Sequence, residues 1–420
     1  MKKDHCIIVS IALIFVLILF KSNNLDVFLS NETYIFPDSY TYIDASNLLY
    51  NEFHPHPYRP LGYAALLGLP NLFMTQLTTL DYIIFSFGLN LLFWLFTLVV
   101  LFETLMLFTI KKLAYTAAFV FMFSMGNATH IALILSETIV TGLFIFMVFF
   151  MFKYTKTKNT KHLIWSVSIL NITSLFRPGM FYLGVIFCIL LIVYLLRKKE
   201  FKRRSFFIFL ISVILIISQG MAMFKTYGNF TMSYIDKLAW YFYLGCQSSA
   251  LEKQISYNDE RTLRNEKRKT LSWEELSTLS KEDFKSQIAN NSKHMLYAYL
   301  NNLFDNCTSG SSNLILIKSL QNNRNNKLMA HRFHVLSKIQ NKLYVILAIL
   351  CLAWFGSFRK YWNIALFVSL SIIFYVILTS GVSFWQGDRF NITVYPLILL
   401  TLFSLLDLLF KPYRNKINPV

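Results

Sequence analysis

Residues 82–110 read YIIFSFGLNLLFWLFTLVVLFETLMLFTI, with Glu103 as the one charged side chain in the run. Wound as an α-helix at about 1.5 Å per residue, such a stretch exceeds the roughly 30 Å of hydrocarbon in a bilayer. Comparable runs recur outward from it, at 7–20, 113–135, 138–152, 163–176, 180–196, 206–224, 343–358, 364–382 and 392–410. The expectation is an all-α integral membrane protein with about ten transmembrane helices. Composition agrees: of 420 residues 55% are hydrophobic and only 15% charged, outside the range of soluble globular domains.

A formal charge of +18 raises nucleic acid as a partner, but its placement argues against one. The cations gather in short connections on one side of the predicted spans: Lys2 and Lys3, Lys111 and Lys112, the stretch 153–161, RKKEFKRR at 197–204, Arg359 and Lys360, and 411–416. Excess Lys and Arg in short loops marks the cytoplasmic side. Both termini are therefore expected in the cytoplasm of a bacterial inner membrane protein, with the large loops in the periplasm. No small-x-small cleavage site follows the first apolar run, so it is read as an uncleaved anchor. Five cysteines are too few for a disulfide scaffold; Cys246 and Cys307, in the second large outer segment, are the two that an oxidising periplasm would let pair.

Two outer segments are too long for turns. They divide the chain into an N-terminal transmembrane module, 1–224, holding a first loop at 21–81, a second periplasmic loop at 225–342 with short helices, and C-terminal transmembrane helices at 343–420. Tyr42, Ala45, Leu48 and Leu49 fall at helical spacing and predict a surface-lying helix over 38–49. The stretch 61–73, interrupted by Gly62, Gly68 and Pro70, predicts an interfacial or re-entrant helix. In the second loop TLSWEE at 270–275 and SKED at 280–283 fit the capping-box spacing, predicting two short helices, the second over 281–303. Residues 321–342, rich in Asn, Lys and Arg, read as loosely structured.

Charges at the edge of a membrane domain are costly and are functional candidates by default. On the expected outer side these are Asp38, Asp44, Arg59, Glu137, Arg177, Asp388 and Arg389. One reaction fits this inventory. A sugar on a polyprenyl phosphate has a leaving group that departs as a stable anion, so its transfer needs one base for the acceptor hydroxyl and cations for the phosphate. A glycosidase would instead need a carboxylate pair. Each residue also has a plain structural role open to it: Asp38 as a helix N-cap, Asp44 as a solvated surface acid, Glu137 as a turn cap, and the arginines as interface anchors.

DSYTYIDASNLL at 38–49 followed by RPLGYAALL at 59–67 resembles the first outer loop of the GT-C superfamily of membrane glycosyltransferases, which includes protein mannosyltransferases and lipid A aminoarabinose transferases. LSE at 135–137, LFRPG at 175–179, the helix 285–304 and GDRFNITVYP at 387–396 extend the resemblance over most of the chain. It implies Asp38 as catalytic carboxylate with Glu137 as a second catalytic candidate, and Arg59, Arg177, Arg389, Tyr42 and Tyr63 as ligands of the donor's lipid phosphate. Ser39 stands where many members carry a second acid, which leaves a divalent cation open, with His54 and His56 around Pro55 as its candidate ligands. The implied activity is inverting transfer from a polyprenyl-phosphate sugar. Similarity in length and loops to serotype-converting O-antigen glucosyltransferases suggests a lipid-linked glycan acceptor, with lipid A or a protein as alternatives. Two other readings are an O-antigen polymerase, whose Arg and Gly eleven positions apart have no counterpart here, and a lipid-linked oligosaccharide flippase, which would spread its charges along a central path.

Overall fold

A computed structural model of the chain describes residues 3–22, 29, 35–74, 76–200, 204–311, 314, 317, 323–357 and 363–417. Among them the regular elements are all helical. The first half holds α1 (Lys3–Ser22), α2 (Pro37–Asn51), α3 (Leu61–Leu67), α4 (Thr79–Met106), α5 (Lys111–Met122), α6 (Met125–His130), α7 (Glu137–Thr157), α8 (Thr160–Ser174), α9 (Met180–Lys198) and α10 (Arg204–Tyr227). There follow α11 (Ile235–Leu238), a π-helical segment Ala239–Leu244, α12 (Gly245–Lys253), α13 (Tyr257–Lys269), α14 (Trp273–Asn290), α15 (Ser292–Thr308), α16 (Arg324–Ser357), α17 (Ile364–Ser380), two 3₁₀ turns and α18 (Tyr395–Ile417).

Among the described residues seven helices are long and apolar enough to cross a membrane: α1, α4, α7, α9, α10, α16 and the stretch Gly387–Leu409 that leads into α18. In α7 and the last of these, 61% and 78% of the apolar window is buried, against 28–39% in the other five, so these two form the centre of the bundle. Around it α9 and α10 leave residues such as Ile186, Leu190, Ile211 and Ile214 exposed and apolar, the surface a helix presents to lipid. The predicted runs at 163–176 and 364–382 form α8 and α17, only 15 and 17 residues long. The run at 113–135 is broken after Met122. There Ser124 Oγ bonds Tyr344 OH at 2.6 Å and the Met125 N–H donates to Gln340 Oε1 at 2.7 Å, so side chains of α16 satisfy the backbone and side-chain groups released by the break.

The first loop forms as its pattern predicts. Pro37 opens α2 at a position that needs no N–H donor, and α2 buries Ser39, Tyr42, Ile43, Ala45 and Ser46 while Asp44 faces out. Asp38 is not the N-cap; that position is Phe36, and Asp38 lies in the first turn. Helix α3 and a short 3₁₀ turn, Leu69–Leu72, occupy the predicted interfacial stretch.

The second loop departs from expectation in three places. Ser272 and Glu275 do form a capping box, but α14 runs through Ser280 to Asn290 and is closed by its C-cap Asn291, whose amide side chain donates to Ser248 and Gln287. An unforeseen helix, α13, is capped by Ser256 and anchored by Arg264, which pairs with Glu260 at 2.9 Å and Asp283 at 2.8 Å. Residues 324–342, expected to be loose, are the first half of α16: Asn326, Met329, Ala330, Phe333, Ser337 and Asn341 recur every three or four residues and are buried, and the basic residues fill the outer face. Residues 321 and 322 lie outside the described residues. Cys246 and Cys307 are both free thiols.

Candidate active site

A cavity of about 340 Å³ opens where the ends of α2, α7, α8, α9 and α17 meet the second loop. Asp38, Tyr42, Arg59, Glu137, Arg177 and Arg389 all line it. These residues come from five separate parts of the sequence.

Arg389 is the pivot. Its Nη1 donates to Asp38 Oδ2 at 2.6 Å and its Nε pairs with Glu137 Oε1. Arg59 closes the other side, with Nη2 3.1 Å from Asp38 Oδ1, Nε donating to Thr41 Oγ1 at 2.7 Å and the guanidinium 4.3 Å from the centre of the Tyr42 ring. Burial pushes the Asp38 carboxyl up, but the charges of Arg389 and Arg59 and their hydrogen bonds outweigh it and hold the group at about 2. Asp38 keeps 38% of its side chain exposed toward the cavity, whereas Glu137 and Arg389 keep 9% each. Glu137 Oε2 is buried without a hydrogen-bond partner among the described residues.

Arg177 stands apart from this network. It donates to Thr393 Oγ1 at 3.1 Å and lies over the Phe390 ring at 4.6 Å, and no carboxylate stands within ion-pair distance of it among the described residues. Three guanidiniums thus face two carboxylates, Asp38 and Glu137, at this end of the cavity, an excess of one positive charge, and Arg177 feels Glu137 only at longer range.

Local structure explains each placement. The loop carrying Arg59 is strapped to the second loop: Pro55 O accepts from Tyr227 OH at 2.8 Å, Pro57 O from the Tyr234 N–H at 2.8 Å and Tyr58 O from Ser233 Oγ at 2.8 Å. Beyond it, the Gly62 N–H donates to Leu175 O at 2.9 Å, and a Cβ at Gly62 would stand 2.6 Å from that oxygen, so only glycine lets α3 close on the end of α8 beside Arg177. Tyr42 OH bonds Ser136 Oγ at 3.2 Å, tying α2 to the start of α7.

The turn carrying Arg389 hangs on buried asparagines. Asn306 Nδ2 donates to Ser380 O at 2.9 Å and Ser383 O at 2.7 Å, while its Oδ1 accepts from the Gln386 N–H at 3.2 Å. Asn391 donates to Asn306 O and to Asn341 Oδ1, both at 3.1 Å. Sequence reasoning missed these residues. The signal available was amides spaced four apart, Asn302 and Asn306, on an otherwise apolar helix face, where an unsatisfied amide would be costly.

Two predicted ligands take other roles. Tyr63 is fully buried behind the site: its ring meets Tyr42 edge-on at 4.9 Å and its OH bonds Ser86 Oγ at 2.9 Å, so it supports Tyr42 and does not line the cavity. His56 Nδ1 accepts the backbone N–H of Tyr58 at 3.0 Å and of Arg59 at 3.2 Å, and is spent on shaping the Arg59 turn. Burial, with the Arg59 charge beside it, pushes His56 down to about 4, so it is neutral. His54 is exposed. Among the described residues no group of three or more His, Cys, Asp or Glu is placed to hold a metal ion.

No protein-family model and no curated protein sequence matches the chain. Among solved structures it is similar to the archaeal oligosaccharyltransferase AglB from Archaeoglobus fulgidus, in complex with an inhibitory peptide and a dolichol-phosphate, at TM-score 0.49 and 11% identity, with 100% of this chain and 52% of that chain covered. It is also similar to ArnT from Cupriavidus metallidurans bound to undecaprenyl phosphate, at TM-score 0.40 and 10% identity, with 98% of this chain and 78% of that chain covered. The chain spans about half the length of the AglB chain it matches.

Proposed function

We propose that this membrane protein is an inverting glycosyltransferase that moves a sugar from a polyprenyl-phosphate carrier to a hydroxyl of a second substrate. The observation that carries this reading is the pairing in one cavity of a partly exposed carboxylate, Asp38, with a guanidinium, Arg177, that has no carboxylate partner among the described residues. A half-buried cation with no carboxylate in direct contact among the described residues favours an incoming anion, and a planar guanidinium suits a phosphate.

In the proposed step the acceptor oxygen attacks the anomeric carbon from the face opposite the phosphate, forming the new glycosidic bond. The bond to the phosphate oxygen breaks with its electron pair, and the lipid phosphate leaves as an anion held by Arg177 and Arg389. The acceptor proton passes to Asp38. At about 2, Asp38 is a weak base while both its oxygens accept guanidinium hydrogen bonds. A bound phosphate competes for the same guanidiniums and releases a carboxylate oxygen, so basicity returns when the donor is in place. Glu137 positions Arg389 from behind.

The loop distribution of Lys and Arg supports a cavity on the periplasmic face of a bacterial inner membrane, with cytoplasmic termini. A lipid-linked glycan of the O-antigen type is the acceptor we favour, on the resemblance of the outer loops. The test is reconstitution in proteoliposomes with labelled undecaprenyl-phosphate hexoses and a lipid-linked glycan. Transfer with inverted configuration and release of undecaprenyl phosphate is expected. Movement of lipid across the bilayer with every glycosidic bond intact would make the protein a flippase and overturn the reading.

A further inference from the structure

The cavity has a second wall that the phosphate chemistry does not use. Ile235, Asp236, Ala239, Trp240 and Tyr243 line it together, and their spacing of three and four residues puts them on one face of the α11 and π-helical stretch. A π-helical turn is a costly local geometry that recurs at functional sites, and here it carries Trp240 and Tyr243. Asp236 keeps 26% of its side chain exposed; its Oδ1 accepts the Lys237 N–H at 2.9 Å and its Oδ2 pairs with the Lys237 ammonium, which leaves each oxygen a second lone pair for an incoming donor. Trp240 is half-buried, and its packing against Phe284, with ring centres 4.4 Å apart, holds the indole in place at the cavity wall.

A carboxylate here does not suit a phosphate, which it would repel. It is acceptor-only when ionised and suits neighbouring hydroxyls that can each donate to one oxygen. A rigid aromatic ring beside it offers a flat apolar surface for the C–H face of a pyranose.

We propose that Asp236 and Trp240 form a sugar subsite, in which the carboxylate accepts hydrogen bonds from two adjacent hydroxyls of a pyranose while the indole packs on the ring. The inference rests on the glycosyl-transfer reading of the cavity. Asp236 is a specificity-determining residue in it, separate from the proton acceptor Asp38. The sugar is either the donor's or the terminal unit of the acceptor.

The experiment uses the full-length protein in proteoliposomes, wild type beside Asp236→Ala, Trp240→Ala and Trp240→Phe. Undecaprenyl-phosphate glucose, galactose and mannose are varied at fixed lipid-linked glycan, and then the reverse. A rise of about tenfold or more in KM for one substrate, with kcat at saturation nearly unchanged, is expected for both alanine variants, from loss of charged hydrogen bonds or of stacking. Trp240→Phe should recover most of it. The substrate whose KM moves identifies the source of the sugar. Inhibition by sugar-free undecaprenyl phosphate should be the same in all four proteins, which also reports intact folding. Unchanged KM for both substrates, or a fall in kcat alone, overturns the subsite. If wild type transfers nothing, the glycosyl-transfer reading fails by itself. The subsite is then judged by direct binding of the same glycolipids, and equal affinity in wild type and Asp236→Ala overturns it.

Discussion

Arg389 lies 351 residues from Asp38 along the chain, and its Nη1 donates to that carboxylate at 2.6 Å. Through its Nε the same guanidinium holds Glu137 at the start of α7. One side chain therefore clamps the first loop, the central helix of the bundle and the turn between α17 and α18. Removing it would leave two carboxylates without their shared cation, a loss of structure as well as chemistry, so the sharper tests lie on its partners.

Asp38→Asn retains shape but keeps only one of the two oxygens that accept from Arg59 and Arg389, and it cannot take a proton at neutral pH. Sugar transfer should fall by about 10²–10⁴, the usual worth of a positioned general base, while membrane insertion and yield persist. Transfer assays on equal amounts of purified protein check this, and wild-type turnover in the variant would remove Asp38 from the mechanism.

Arg177→Gln removes a cation without breaking an ion pair. The apparent KM for the polyprenyl-phosphate donor should rise by roughly 10-fold or more, with the thermal unfolding midpoint in detergent unchanged or higher. A lower midpoint with an unaltered donor KM would make Arg177 structural.

Glu137→Ala takes one anchor from Arg389 in a nearly dry setting, 9% exposed on both sides. Breaking such a pair costs about 3–5 kcal/mol, so the unfolding midpoint should fall, and turnover with it, because a guanidinium displaced by about 1 Å can cost 10²-fold. Glu137→Gln should recover part of the stability.

Asn306→Ala leaves the Ser383 carbonyl and the Gln386 N–H without their Asn306 partner, while the Ser380 carbonyl keeps the Ser383 N–H at 3.1 Å. Each unmet group costs about 1–3 kcal/mol. Hydrogen exchange in the turn carrying Arg389 should speed up, and transfer should weaken even though Asn306 lies outside the cavity. Unaltered exchange there would show that the turn is held by other contacts.

His56 supplies a pH dependence. Its ordinary value near 6.5 is pushed down to about 4 by burial and by Arg59. The unfolded chain therefore takes up the proton first, and the stability contributed by the neutral ring is full above about 6.5 and is lost as pH falls toward 4. Protonation of Nδ1 would also break the two backbone bonds that shape the Arg59 turn. The unfolding midpoint should drop between pH 7 and 5 in wild type, and His56→Asn should flatten that slope. Equal slopes in the two proteins would assign the acid sensitivity elsewhere.

Charge marked Asp38, Arg59, Glu137, Arg177 and Arg389, which the structure brings to one cavity, but it marked Asp44 and Asp388 equally, and neither lines that cavity. In a chain with 15% charged residues, an acid or arginine at the end of an apolar run is conspicuous. Tyr63 was misread because its place in the Arg-Pro-x-x-Tyr stretch says nothing about which face of α3 it occupies; packing against Tyr42 and Ser86 decides that. The polar first half of α16 was misread because most of its buried residues, Asn326, Ala330, Ser337 and Asn341, are small or carry amides and are diluted by the basic outer face.

The sequence by itself determined that the chain is helical and membrane-embedded, and which of its few charges had to find partners, because hydrocarbon leaves an apolar run no other stable backbone and tolerates few unpaired ions. Only the tertiary structure decided who pairs with whom. The contacts between Arg389, Asp38 and Glu137, the asparagine cradle around 380–391 and the joining of Asp236 and Trp240 to the same cavity all link segments far apart in the chain. No local spacing records such contacts; helix packing makes them.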